Sequence, residues 1–222
     1  MATQDELFAD ARKRMVDSQI RPNRVTDPRI LSAMRRLPRE RFLPASTQAL
    51  AYADEDVPLG NGRFLMEPMV LARMLQAAAL QENERVLVVG TATGYGAAVL
   101  AACGCRVTAL EDDPALLTIA RSVLATEAPG VMLVSGPLAA GWPQQAPYDL
   151  ILIEGAVPEI PAALATQVQQ ETGRIIAALC RDGAVTQAVQ AEATAGGLSL
   201  GALFDCGTPP IPSLRKAPSF AF

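Results

Sequence analysis

Histidine is absent from this chain of 222 residues. That excludes nucleophilic catalysis by Ser-His-Asp or Cys-His arrangements and the zinc sites that rely on imidazole. Cysteine is scarce: Cys103 and Cys105 stand too close for a good mutual disulfide, Cys180 and Cys206 are far apart, and no C-x-x-C occurs. Four reduced, mostly buried thiols are expected, and no metal site. Positive charge is also in short supply, with 19 Lys and Arg against 23 Asp and Glu and adjacent basic residues at Arg12 to Arg14, at Arg35, Arg36 and at Arg215, Lys216. Nothing there offers a footprint for nucleic acid. No apolar run reaches 18 residues without a charge or turn, and MATQDELFADARKR carries charges where a signal peptide needs an apolar core. A cytoplasmic protein without a membrane partner is expected.

What is present is a residue composition that is half apolar and 19% charged, enough for one substantial core and most economically one domain over 1–222. Its organising stretch is Arg85 to Gly96, RVLVVGTATGYG. Val86 to Val89 is a continuous apolar run rich in β-branched residues, as in a parallel strand covered on both faces. Gly90 and Gly94 free the backbone for a tight turn, and Tyr95 to Cys103 reads as the helix that follows. A second strand, Arg106 to Leu110, ends on Glu111, 21 residues past Gly90. An acidic residue at that distance is the ribose acceptor of a Rossmann-type fold. The positions of a G-x-G-x-x-G motif hold Gly90, Ala92 and Tyr95. Because the second glycine serves the approach of a pyrophosphate, its loss favours an adenosyl ligand such as S-adenosylmethionine over NAD.

The front of the chain reads as helical. Residues 5–20 form an amphipathic pattern with Leu7, Phe8, Ala11, Met15 and Val16 on one face, and Asp27-Pro28 opens a helix through Leu37. From Pro44 to Pro68 the period is lost, and Gly60-Asn61-Gly62 reads equally as a functional loop or as a turn between short extended pieces. Pro68 starts a helix that leads to the first strand. After Glu111, Asp113-Pro114 caps a helix to about Ala125. Further strands are expected at Val131 to Val134, Tyr148 to Ile153 and Arg174 to Leu179, with a helix from Pro161, and a terminal β-pair at Ala184 to Val189 and Leu198 to Phe204. Trp142 reads as packing beneath a loop, and Phe220 with Phe222 as a fold-back plug or a frayed end. Strands alternating with helices argue for an open, mainly parallel α/β sheet.

The blocks MVDSQIRPNRVTDPRILSAMRRLPRERFLP, AYADEDVPLGNG, EPMVLARML, VLVVGTATGYGAAVLA, APYDLILIEGA and PAALATQVQQETGRI, in this order and spacing, resemble the protein-L-isoaspartate O-methyltransferase family. The resemblance implies a Rossmann-like class I methyltransferase fold, with a mostly parallel seven-stranded sheet and a helical N-terminal extension. It divides the chain into a helical part with the substrate loop (1–80), a cofactor core (81–182), and a terminal β-pair and tail (183–222). It also implies S-adenosylmethionine as methyl donor and an isoaspartyl side-chain carboxylate in a protein or peptide as acceptor. Carried over, Gly90, Thr91, Thr93, Gly94, Tyr95, Glu111, Asp112 and Gly136 would surround the donor, although Asp112 and Asp113 also read as helix-start residues. The substrate loop is Phe64, Leu65, Met66 and Glu67.

Three departures touch that site. The family's T-I-S-Q-P loop is here Phe64 to Pro68, with Met66 in the serine's place, so the catalytic residue is not named by the motif. Its G-D-G is Gly136-Pro137-Leu138, and the acidic residue two places before Gly90 is Val88. An isoaspartyl carboxylate, with a reference pKa of about 4, is ionised without a base. Holding nucleophile and methyl in line supplies roughly 7 to 11 kcal/mol in favourable cases. Losing the hydroxyls therefore points to a changed acceptor, an unidentified small acceptor among them, or to a non-catalytic relative that keeps the fold as an adenosyl-binding or interaction module. An NAD oxidoreductase is disfavoured by Ala92 and Tyr95.

Overall fold

The computed structural model describes residues 3–194 and 197–215. Its centre is a seven-stranded sheet in the order β5-β4-β3-β6-β7-β8-β9, comprising β3 (Arg85–Val89), β4 (Arg106–Glu111), β5 (Met132–Ser135), β6 (Leu150–Val157), β7 (Arg174–Leu179), β8 (Gln187–Thr194) and β9 (Gly197–Asp205). The pairings among β3 to β7 are parallel, and those of β8 with β7 and β9 are antiparallel. This is the architecture expected from the alternation of strands and helices. The valine run explains why β3 is central: Val86 and Val88 enter one core cluster, Leu87 and Val89 the other, so both faces are covered.

The helical front end is present, with one difference. Helix α1 (Gln4–Arg14) starts from a Thr3–Glu6 capping box and buries none of its residues; Leu7 is half exposed. The apolar face begins only where the chain widens into a π-helical turn, Met15–Ile20, which puts Met15, Val16 and Ile20 in the core. Helix α2 (Pro28–Arg36) is capped by Asp27 through the Arg29 N–H. A short hairpin follows, β1 (Val57–Gly60) and β2 (Arg63–Leu65), so Gly60-Asn61-Gly62 is a turn between extended pieces, with all three residues at positive φ. Helix α3 (Pro68–Ala77) then leads into β3, α4 (Tyr95–Ala102) follows the glycine turn, and α5 (Pro114–Glu127) is capped by Asp113. Helix α6 (Ala162–Ala165) is a single turn.

Several strand boundaries differ from expectation, and β8 runs on to Thr194 past the expected end at Val189. The first strand of the terminal pair begins at Gln187 rather than Ala184, because the turn at Gly183 (φ 72°) uses the intervening residues. Strand β6 does not stop at Ile153 but runs on through Glu154 and Gly155. Its end is extended sideways by the segment 208–214, a strap joined by the Ala156 N–H to the Pro209 carbonyl (3.0 Å) and the Ile211 N–H to the Ala156 carbonyl (2.8 Å). Phe220 and Phe222 lie outside the described residues. No described helix is long and apolar enough to cross a membrane.

Candidate functional site

The turn after β3 is built as its sequence requires. Gly90 (φ 70°) and Gly94 (φ 94°) take the left-handed conformation that glycine adopts without penalty, and Ala92 (φ 52°) takes it with one. Strand register puts a carboxylate on each side of Gly90: Val89 pairs with Leu110 of β4 and with Ile153 of β6, so the next residues on those strands, Glu111 and Glu154, flank it.

Glu111, expected to accept a ribose diol, is fully buried and already engaged. Arg63 of the hairpin donates to both its oxygens (Nη1 to Oε1 2.6 Å, Nη2 to Oε2 3.0 Å) and to the Gly90 carbonyl (3.0 Å). The N–H groups of Ala92 (2.7 Å), Asp112 (3.0 Å) and Asp113 (3.1 Å) complete the set. A carboxylate has roughly four lone-pair sites, so these five donors saturate it. Burial pushes the Glu111 carboxyl up, and Arg63 pulls it back. Asp112 stands 3.6 Å from Arg63, and Asp113 caps α5 and accepts from Asn61 at the hairpin tip.

Glu154 is the opposite case. It is buried, and among the described residues neither oxygen has a hydrogen-bond partner. Burial pushes its carboxyl up to about 8, against the charges of Arg39 and Arg63 and the nearby Gly96 amide. It lines a cavity of about 10 Å³ together with Asp56, Arg63, Phe64, Met66, Thr208 and Ile211. Small-molecule pockets usually measure about 300–1,000 Å³, and about 10–15 Å³ holds one water. The cleft is closed because the strap and the hairpin meet over the turn. A β-carbon built on Gly90 would stand 2.9 Å from Ile211 Cδ1 and 3.3 Å from Arg63 Nη2. A separate groove of about 510 Å³ at Pro158, Ile160, Leu179 and Cys180 shares no lining residue with it.

The other expected site residues are brought together unevenly. Thr91 and Thr93 are wholly buried in the turn, and their hydroxyls lack partners among the described residues. The Tyr95 ring is turned into the core, edge-on to Phe42 at 5.3 Å and beneath Arg39, so it lends the turn only its backbone. Gly136 lies beside Glu111, its N–H on the Glu111 carbonyl, and against the Trp142 ring, which packs into the second core cluster. Of the expected substrate loop, Phe64 and Met66 line the cavity while Leu65 is core. Glu67 precedes α3, and burial with Asp54 and Asp56 nearby pushes its carboxyl up to about 7. Burial raises the thiols of Cys103 to about 12 and Cys105 to about 11, leaving both protonated at neutral pH.

Three residues of this region escaped the sequence reading: Arg63, Glu154 and Arg39. Glu154 had a signal, a lone charge inside the apolar run LILIEGAV. Arg63 had none, since only the hairpin's docking brings it to Glu111.

The family model for protein-L-isoaspartate(D-aspartate) O-methyltransferase matches residues 10–197. Among relatives, the protein-L-isoaspartate O-methyltransferase of Methylorubrum populi is 43% identical over 166 residues, 75% of this chain and 78% of that one. Protein-L-isoaspartate O-methyltransferase 2 of Anaeromyxobacter is 42% identical over 187 residues, 84% of this chain and 76% of that one. Of solved structures, a protein-L-isoaspartate O-methyltransferase overlays with a TM-score of 0.80 at 23% identity, covering 92% of this chain and 67% of the other. One from Plasmodium falciparum, in complex with S-adenosyl-L-homocysteine, overlays with a TM-score of 0.77 at 15% identity, covering 91% and 98%. These two likenesses bear on the fold. The sequence matches carry the assignment: the chain belongs to the protein-L-isoaspartate O-methyltransferase family.

Proposed function

We propose that the protein is an S-adenosylmethionine-dependent methyltransferase acting on a side-chain carboxylate of an isoaspartyl peptide. The observation that carries this reading is Glu111, buried at the end of β4 beside the Gly90 turn in a member of this family. The residues present fit an adenosyl donor. Glu111 stands where a ribose diol would be held, its oxygens now taken by Arg63 and three amides, and the orphaned hydroxyls of Thr91 and Thr93 surround a turn whose glycines bring backbone close. The donor supplies an electrophilic methyl group on a sulfonium.

The chain's own part is to bind, align and keep water out. An ionised acceptor carboxylate needs no base. Asp56, Glu67 and Glu154 set a polarity condition on it, because each ionised carboxylate repels an anion. With Glu67 titrating near 7 and Glu154 near 8, both lose their protons as pH rises through that range. An anionic acceptor is accordingly expected to bind better at pH 6 than at pH 8.5. Phe64 and Met66 give the transfer loop an apolar wall in place of hydroxyls.

The test is calorimetric titration with S-adenosylmethionine and S-adenosylhomocysteine, followed by transfer of labelled methyl to an isoaspartyl peptide. Glu111→Ala should weaken binding about tenfold or more, as loss of charged hydrogen bonds to a diol requires. Met66→Ser, which restores a donor at the acceptor's seat, should raise the transfer rate about tenfold or more. A second reading, an adenosyl-binding module without turnover, is favoured by the apolar loop, where Phe64 and Met66 stand in place of hydroxyls. Donor binding with no methyl transfer in either the native protein or Met66→Ser would select it.

A further inference from the structure

Gly90 separates two buried carboxylates with opposite fortunes. Glu111 receives five N–H donors, while Glu154 receives none among the described residues. One cation lies within reach of both: Arg63 is bonded to Glu111, lines the same cavity as Glu154, and favours the ionised form of Glu154 through its charge. Its guanidinium sits over the Gly90 carbonyl, midway in the register between β4 and β6.

A saturated Glu111 cannot also accept two ribose hydroxyls. The donors from Ala92 in the turn and from Asp112 and Asp113 just past β4 are backbone amides fixed by the chain path, so the donor that must leave is Arg63. A bidentate guanidinium pair is roughly twice as strong as neutral hydrogen bonds, so a diol competes poorly for the same oxygens. A buried guanidinium released without a partner would be costlier still. Glu154 offers it one on the other flank: Arg39 and the Gly96 amide lie near it, but neither of its oxygens makes a well-formed hydrogen bond among the described residues.

We propose that Arg63 is a two-position switch that sets the affinity for the methyl donor. On Glu111 it occupies the place of the ribose and holds the cleft shut; on Glu154 it leaves Glu111 free to accept the diol. Glu154 is then a positioning residue, acting through Arg63 rather than on the ligand. The switch rests on the donor assignment above, and the hairpin carries it. Gly62 at the hairpin tip packs on the strap at Pro212, so displacement of Arg63 also loosens the cover that Ile211 places over Gly90.

The experiment is calorimetric titration of S-adenosylhomocysteine into the full chain and into three variants. Arg63→Gln should bind about tenfold tighter or more, since one charge-assisted competitor is gone. Glu154→Gln should bind several-fold more weakly, because the displaced guanidinium loses its seat. In the double variant the Glu154 effect should vanish and the affinity match that of Arg63→Gln. Arg63→Met, which keeps the apolar stem, replaces Arg63→Gln if the latter does not fold. Equal affinity of the native chain and Arg63→Gln overturns the switch while leaving the donor assignment intact. The same loss from Glu154→Gln in both backgrounds overturns it too, by placing Glu154 on the ligand. Absence of binding in every variant removes the donor assignment together with the switch.

Discussion

Glu154→Gln should make the protein more stable, and the gain should grow with pH. The folded carboxyl titrates at about 8 and an unfolded glutamate at about 4.3, so the native state keeps a proton that the unfolded state gives up. Stability falls with pH wherever the native state binds more protons. The contribution is therefore intact below about pH 4 and lost as pH rises to about 8, on the order of 5 kcal/mol in all. The amide of the variant has the same shape as the carboxyl and no proton to lose. Urea unfolding at pH 5 and pH 8.5 should show a small difference between the two proteins at the lower pH and several kcal/mol at the higher. Parallel pH profiles would mean that Glu154 finds a partner or water in solution, and its isolation would be refuted.

Arg39→Met should cost roughly 2–4 kcal/mol of stability, since two buried carbonyls lose their donors and each such loss is worth about 1–3 kcal/mol. Arg39 is wholly buried; its Nε donates to the Ala51 carbonyl and its Nη2 to the Met66 carbonyl, both at 2.7 Å. Its guanidinium carbon lies 4.8 Å from the centre of the Tyr95 ring. Because Arg39 holds the Met66 carbonyl, the backbone of that loop should loosen as well. Hydrogen exchange at residues 64–67 would then speed up relative to β3. A loss below about 1 kcal/mol would show that methionine packs well enough to compensate, as buried charges replaced by apolar groups sometimes allow.

How far these features could be read before the structure depended on whether the signal was local. The strand at Val86 to Val89, the turn at Gly90 and Gly94, and the caps Asp27 and Asp113 each state their structure within a few residues. They stand where they were expected. Leu7 is half exposed: a helical stripe gives a direction but not the layer it meets, and the core begins about two turns later at Met15. Glu154 was placed past a strand end because a charge normally ends an apolar run; here the strand carries it inward. Glu111 stands at the end of β4 as expected, whereas Arg63, which bonds it, lies 48 residues earlier and reaches it only through the docked hairpin. Long-range ion pairs of this kind leave no periodicity in the sequence.

The strap bears on the order in which the molecule is assembled. Its residues 208–214 cover a turn made far earlier in the chain, where the Ile211 side chain stands over Gly90. At ribosomal speeds of about 5–20 residues per second, a separation of about 120 residues puts roughly 6–24 seconds between the synthesis of the two. Contacts of such sequence separation form late, because a long loop must close before they give anything in return. Through that interval β3, α4 and β4 can already be paired, with Gly90 open to solvent. Closure of the cleft thus follows the pairing of the strands beneath it.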